Sequence, residues 1–273
     1  MPANLSFRDT FGPFALITGA SDGIGQALAQ ECARRGLSLV LVARRADRLA
    51  ALAHALSSDH GVDARPLAAD LSNPSDVAKV AHTVENLEVG LFMPGAGFGT
   101  AGPFLKTDIA DELSMIDVNC RAVVELTQPL ARAMSVRGRG AIVFFSSIVA
   151  FQGVARAANY AATKAFIQTF AEGLRAELKG VGVKVLAAAP GPVETGFAAR
   201  AGMHMAGAAD PAGVARSIMR ALASGGTTRP GLKAKVLGYS LSTLPRPLRI
   251  KVISQIMAGM TAGADVEKSL RPT

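Results

Sequence analysis

Tyr160 and Lys164 stand four residues apart in the run Asn159-Tyr160-Ala161-Ala162-Thr163-Lys164, and Ser147 lies thirteen residues upstream. On a helix, positions i and i+4 share a face. A phenol held beside an ammonium is a proton-transfer unit. The cation favours the phenolate and is expected to draw the tyrosine pKa down toward neutrality. A tyrosine poised in this way passes a proton to or from a carbonyl oxygen. Tyr-x-x-x-Lys also arises by chance, so the pair gains meaning from what stands at the other end of the chain.

There, Thr18-Gly19-Ala20-Ser21-Asp22-Gly23-Ile24-Gly25 joins an apolar strand pattern to a helical one. Glycines allow the tight turn and the close approach of backbone to a pyrophosphate, and the helix N-terminus offers free amides and the positive dipole end. Gly19, Ser21, Asp22, Gly23, Ile24 and Gly25 are therefore candidate dinucleotide contacts, although the same glycines would also serve a turn with no ligand. An NAD-binding chain carries an acid at the end of its second strand, roughly 20 residues after the glycines. Here that position is Ala43, followed by Arg44 and Arg45. An acid repels a 2′-phosphate, whereas arginine grips it through paired hydrogen bonds. The expectation is NADP(H) over NAD(H), against the alternative that the two arginines are solvated helix-cap charges.

The elements that must position these residues alternate. Strand patterns fall at 14–18, 37–43, 64–68, 90–93, 141–145 and 183–188, and helical patterns at 24–35, 46–58, 74–84, 111–134 and 159–178. Continuous apolar strands between amphipathic helices argue for a parallel sheet covered on both faces. The expected fold is α/β: a doubly wound, Rossmann-type parallel sheet in three α/β/α layers. No repeat or linker divides the chain, so one domain is expected over 1–273. Residues 196–210 read as a substrate lid and 240–273 as a C-terminal extension.

Composition narrows the function classes. Hydrophobic residues make up 49% of the chain and charged residues 18%, which supports a large core rather than disorder. The net charge is +8. The cations are scattered, with Arg34-Arg35 and Arg44-Arg45 the adjacent pairs, so no nucleic-acid partner is expected. Cys32 and Cys120 match neither a zinc spacing nor a disulfide framework. His54, His60, His82 and His204 form no cluster, so no metal site is expected. The N-terminal residues lack a signal-peptide pattern, and no apolar run nears the ~20 residues needed to cross a bilayer. Cytoplasmic localisation is the default expectation.

Taken together, these elements resemble the short-chain dehydrogenase/reductase family, in its shorter branch with TGxxxGxG and YxxxK patterns. The resemblance runs over roughly residues 14–197 and includes, in order, the 18–25 loop, Asp70-Leu71, Gly95-Ala96-Gly97, Asn119, Ser147, Tyr160, Lys164 and Pro190-Gly191-Pro192-Val193-Glu194-Thr195. It implies a carbonyl–alcohol oxidoreductase acting on a small-molecule substrate. Tyr160 would be general acid in reduction and base in oxidation. Lys164 would lower the Tyr160 pKa and bind the nicotinamide ribose. Ser147 would polarise the carbonyl, and Asn119 would hold a water that connects Lys164 to solvent. On the residues alone Ser146 could replace Ser147, and Asn119 could be an ordinary helix residue; the family's thirteen-residue spacing selects Ser147. The resemblance assigns Asp70 and Leu71 to the adenine, Gly95, Ala96 and Gly97 to close backbone approach, and Pro190, Gly191, Val193 and Thr195 to the nicotinamide and pyrophosphate. It also implies a homodimer or homotetramer joined through 111–134 and 159–178.

The sequence departs from the family pattern after the fourth strand. Pro94-Gly95-Ala96-Gly97 stands where Asn-Asn-Ala-Gly is usual. Asp22 occupies a place that is basic in many NADPH-preferring members. Substrate contacts are expected from Phe98, Val149, Phe151, Gln152, Pro192 and Met203, with Ala155-Arg156 nearby, because ligands of open α/β sheets bind beyond the strand C-termini. Residues 241–260 mix aliphatic residues with Arg246, Arg249 and Lys251, and read as a membrane-surface helix, a subunit contact or a packed helix. Three functions follow: an NADP(H)-dependent oxidoreductase, a cofactor-binding sensor or scaffold with weakened turnover, and a membrane-surface reductase of lipid-like ketones.

Overall fold

A computed structural model describes residues 6–203 and 207–269, with side chains described up to residue 261. His204 and Met205 of the expected lid lie outside the described residues.

Among the described residues, seven parallel strands form one sheet in the order β3-β2-β1-β4-β5-β6-β7. They are β1 Phe14–Thr18, β2 Ser38–Ala43, β3 Ala64–Ala68, β4 Val89–Pro94, β5 Gly140–Phe145, β6 Val183–Ala188 and β7 Gly226–Thr228. Side chains alternate across the sheet, so each strand feeds two cores. Ile17, Leu41, Met93, Val143 and Leu186 point into one core, with α1 (Phe7–Phe11), α2 (Gly23–Arg34), α3 (Ala46–His60) and α9 (Pro211–Ala221). Leu16, Val40, Phe92, Phe144 and Val185 point into the other, with α4 (Pro74–Val84), α5 (Ile109–Ile116), α6 (Ala122–Arg137) and α7 (Ala158–Leu178). Phe92 and Phe144 are fully buried, and each such side chain contributes roughly 1.5–3 kcal/mol relative to exposure. This is the expected three-layer, doubly wound fold.

Three segments differ from the sequence reading. The expected helix over 111–134 is interrupted: α5 ends at Ile116, a π turn occupies Asp117–Arg121, and α6 resumes at Ala122. The loosely patterned region after Thr195 contains α8 (Gly196–Ala201), α9 and the three-residue edge strand β7. Asp210 caps α9 by accepting from Ala212 and Gly213 amides at 3.1 and 2.8 Å. Finally, α10 (Leu232–Ser242) and α11 (Arg246–Ser269) follow, with Pro247 inside the first turn of α11 rather than breaking it, because proline is tolerated there. Leu241, Ile253 and Met257 join Ile148, Val149 and Met203 in a third core, which caps the strand ends.

Candidate functional site

Strand order reverses beside β1, since β2 lies on one side of it and β4 on the other. A crevice opens at the C-terminal ends of strands at such a point. Here it is a chamber of about 510 Å³ that runs from the glycine loop to Tyr160. Gly19, Ser21, Asp22, Gly23, Ile24 and Gly25 line its near end. Gly19 takes φ +70°, and a Cβ there would stand 2.7 Å from the Ala96 amide nitrogen and the Gly95 carbonyl. Gly23 takes φ +55°, and its missing Cβ leaves room for the Thr195 methyl. Asp22 is the N-cap residue of α2 but makes no side-chain cap bond, so first-turn amides of this helix are left for an anion. These features fit the pyrophosphate of a dinucleotide.

Beyond the loop, Arg44, Arg45, Asp70 and Leu71 line the rim. Arg45 donates to the Ser21 hydroxyl at 3.1 Å and pairs with Asp22 at 3.3 Å, and Arg44 lies 3.9 Å from Asp70. Burial pushes the Asp70 carboxyl up, but hydrogen bonds from Ser72 and the nearby Arg44 and Arg200 leave it below its ordinary value. All four side chains of the two ion pairs are at least 40% exposed. Such pairs are worth about 0–1 kcal/mol, so a phosphate could recruit either arginine at little loss.

At the far end, β5 delivers Ser146 and Ser147 and α7 delivers Tyr160 and Lys164. The two serines take different roles. The Ser146 hydroxyl donates to the Lys164 carbonyl at 3.3 Å, whereas the Ser147 hydroxyl accepts from the Val149 amide at 3.4 Å and lies near enough to the Tyr160 phenol to favour its phenolate. The Lys164 ammonium donates to the Phe145 carbonyl at 2.9 Å and lies 5.7 Å from the Tyr160 ring centre. The expected fall in the phenol pKa is therefore reversed. Burial pushes Tyr160 up to about 12, with the Ser147 bond pulling the other way. Burial also lowers Lys164 to about 8, against a small opposing effect of Cys120. Enclosure disfavours both charged forms, and the ammonium is aimed at a backbone carbonyl instead of the phenol.

Asn119 sits in the π turn, and its side chain makes three hydrogen bonds. Its Oδ1 accepts from the Phe98 amide at 3.1 Å, and its Nδ2 donates to the Phe98 carbonyl at 2.9 Å and the Thr163 hydroxyl at 3.1 Å. Asn119 thus ties the loop after β4 to α7, and its Oδ1 keeps a second lone pair beyond the Phe98 bond. The Thr18 hydroxyl accepts from the Ala96 amide at 3.0 Å. These contacts brace a loop that lacks the family's asparagine pair. Gly95 and Gly97 lie close to the Thr18 carbonyl and to Asn119 Oδ1, each 2.9 Å from a would-be Cβ.

Pro190, Gly191, Val193 and Thr195 line the chamber with Phe98, Val149, Pro192 and Met203. Phe151 and Gln152 do not. Phe151 lies under the Arg229 guanidinium, 4.8 Å from the ring centre, and buried Gln152 donates to the Ile148 carbonyl at 3.1 Å. The short 3-10 helix Ile148–Phe151 turns both away after Val149. Ala155 and Arg156 instead hold α11, through Ser254 at 2.9 Å and Thr261 at 2.7 Å. Phe197 of the expected lid lies with its ring 5.3 Å from that of Tyr160. Sequence reasoning did not single out Arg200, whose guanidinium lies 3.6 Å from the Phe98 ring centre. It also missed the wall formed by Leu237, Ile253, Ile256, Met257 and Met260. The spacing of 253, 256, 257 and 260 marks one face of a helix, which was the available signal.

A family model described as short chain dehydrogenase matches residues 13–205. The very-long-chain 3-oxoacyl-CoA reductase-B of Danio rerio is 32% identical over 196 residues, which is 70% of this chain and 63% of that protein. The match thus spans less than two thirds of that relative. The 7beta-hydroxysteroid dehydrogenase of Clostridium sardiniense is 31% identical over 191 residues, 70% of this chain and 73% of that one. Among solved structures, a short-chain dehydrogenase from Sphingobium yanoikuyae in complex with NADPH superposes with a TM-score of 0.79 at 33% identity. It covers 85% of this chain and 93% of that one.

Proposed function

Because the chain belongs to the short-chain dehydrogenase/reductase family, we propose that it is an NADP(H)-dependent reductase of bulky apolar ketones. The observation that carries this reading is the hydroxyl pair of Ser147 and Tyr160 at the end of a chamber whose other end is a glycine cradle. When bound there, the nicotinamide would supply the hydride. The chain supplies the rest. Two hydroxyls converge on one point, where a carbonyl oxygen gaining negative charge meets two donors. Tyr160, with its pKa near 12, keeps its proton throughout the neutral range and releases it only to an oxygen that becomes more basic. That is the protonation state a general acid needs for carbonyl reduction. Lys164, held by the Phe145 carbonyl, keeps its cation 5.7 Å from the Tyr160 ring centre.

The preference for NADP(H) is supported by Arg44 and Arg45 at the end of β2, and by Arg200, which adds a third cation facing Asp70. The substrate class is supported by the wall of Met203, Leu237, Ile253 and Met257, and by relatives named for very-long-chain oxoacyl and steroid substrates. The test is NADPH oxidation with a panel of long-chain and polycyclic ketones. Tyr160→Phe should abolish turnover while NADPH fluorescence still reports binding. Equal turnover by Tyr160→Phe would remove the assignment.

A further inference from the structure

The net charge of +8 is carried by one segment. Residues 211–264 contain eight arginines and lysines and no acid, and the remaining 21 cations match the chain's 21 acids. The cations are thinly spread, so no polybasic run marks the segment. The absence of acids marks it; it begins with α9 and β7, and five of its eight cations fall in α10 and α11.

Helix α10 is apolar on two opposite sides. Ala234 and Leu241 are buried against the cap core, with Leu237 beside them. Leu232, Val236 and Tyr239 follow the i, i+4, i+7 spacing on the other side and are 78%, 59% and 62% exposed. At 100° per residue, Lys233 and Lys235 fall on the two flanks of that exposed stripe. Leu248, 43% exposed, and Lys251 extend the surface onto α11. Among the described residues, Lys233, Lys235, Arg246, Arg249 and Lys251 form no ion pair. An aliphatic stripe flanked by unneutralised cations is the pattern of a helix lying in a lipid interface.

We propose that the outer face of α10 and α11 docks on an anionic membrane surface. Charge selects this occupant. A second copy placed here would bring like charges together, and a nucleic acid would leave the aliphatic stripe unmatched. The location adds a consequence, since Leu237, Ile253 and Met257 on the inner side of the same helices wall the chamber. Docking would set the chamber wall at the lipid boundary, where apolar substrates concentrate. The surface differs from the 241–260 stretch expected from sequence, because Ile253 and Met257 face inward and the exposed stripe belongs to α10. No described helix is long and apolar enough to cross a membrane, so the contact is peripheral.

The test is co-sedimentation of the full chain with vesicles of phosphatidylcholine alone or mixed equally with phosphatidylglycerol. It needs no turnover, so it stands or fails apart from the catalytic reading. Binding is expected on the anionic vesicles, weak on the neutral ones, and weakened by salt. Replacing Lys235 and Lys251 together by alanine should lower partitioning about thirtyfold, from about 1 kcal/mol per cation near the surface. Leu232→Ser with Val236→Ser should lower it further with an unchanged melting temperature, since both side chains are exposed. Absent binding to anionic vesicles, or equal binding by these variants, would overturn the proposal. So would a smaller particle mass for Val236→Ser in light scattering, which would make this face a subunit contact.

Discussion

Glu112 offers the sharpest test of how the site is held. It is 3% exposed on α5, and both carboxylate oxygens are engaged at 2.7 Å, by the Thr100 hydroxyl and by the Asn159 amide. The Asn159 amide also donates to the Glu112 carbonyl at 2.9 Å. Thr100 follows Gly99, where a Cβ would press on the Tyr160 ring at 2.9 Å, and Asn159 immediately precedes Tyr160. Glu112 therefore fixes Tyr160 from two sides. A hydrogen bond to a charged group contributes about 1.5–3 kcal/mol, so Glu112→Ala, which removes two and leaves the Asn159 amide underused, should cost about 3–5 kcal/mol. At roughly 2–4 °C per kcal/mol for a chain of this size, the melting temperature should fall by about 6–20 °C. Glu112→Gln should cost only about 1 kcal/mol, because its oxygen can serve Asn159 while its amide turns to the Thr100 hydroxyl, which accepts as well as donates. Asn159→Asp should be as damaging as Glu112→Ala, since it sets two carboxylates against each other in a buried site. Displacing a catalytic group by an ångström costs up to about 100-fold in rate, so kcat on a ketone should fall in the same order. The assays are thermal melting and steady-state NADPH oxidation. Glu112→Gln as harmful as Glu112→Ala, or a double Glu112→Ala/Asn159→Ala variant whose losses simply add, would refute the reasoning.

Three further outcomes follow from the same geometry. Lys164 has its folded value at about 8, below the ordinary 10.5; its charged form is the active one, so the reduction rate should hold below pH 8 and decline above it, and Lys164→Met should be inactive at every pH. The fold penalises that charge below pH 8 and is relieved of the penalty as pH rises from 8 to 10.5, so Lys164→Met should raise the melting temperature at pH 7 more than at pH 10. Arg44→Ala with Arg45→Ala should weaken NADPH binding about 10–100-fold, the worth of charge-assisted bonds to a phosphate, and leave NADH binding nearly unchanged in fluorescence titration. Phe166, 44% exposed beside Ala162, Ala165 and Phe170 on the outer face of α7, is expected at a subunit contact, so Phe166→Glu should lower the particle mass in light scattering.

The cofactor end of the site was legible in the sequence, and the substrate end was not. Gly19 and Gly25 are forced by backbone contacts and Gly23 by a positive φ against the Thr195 side chain, so type and spacing alone declare them. The strands were legible because both faces of β1, β2, β4 and β5 are buried, which leaves apolar runs, and β6 interrupts its run only at exposed Lys184. The substrate wall is built differently. Leu237, Ile253 and Met257 are ordinary apolar residues far along the chain, and only tertiary packing brings them to Tyr160. Phe151 and Gln152 were assigned by proximity to Ser147, but a single 3-10 turn sends them elsewhere. The Tyr160 pKa was misjudged for a related reason. Four-residue spacing predicts that phenol and ammonium share a face, but not that the Phe145 carbonyl claims the ammonium or that enclosure outweighs the remaining attraction.

The missing asparagine pair after β4 was the one sequence feature that favoured a protein that binds a cofactor without turning it over. Its force depends on whether the loop has lost its bracing. The loop is held at three points by residues outside it: Thr18 takes the Ala96 amide, and Asn119 takes both the amide and the carbonyl of Phe98. Asn119, which reaches Phe98, lies in the π turn at Asp117–Arg121; such turns frequently mark functional sites. Thr18 is itself part of the glycine motif. The bracing has moved from the loop to its neighbours, and those neighbours also position the cradle and α7. A loop anchored in this way keeps its backbone beside the cofactor cleft without asparagines of its own, so the substitution at Pro94-Gly95 removes a family signature while the rigidity that catalysis needs is retained.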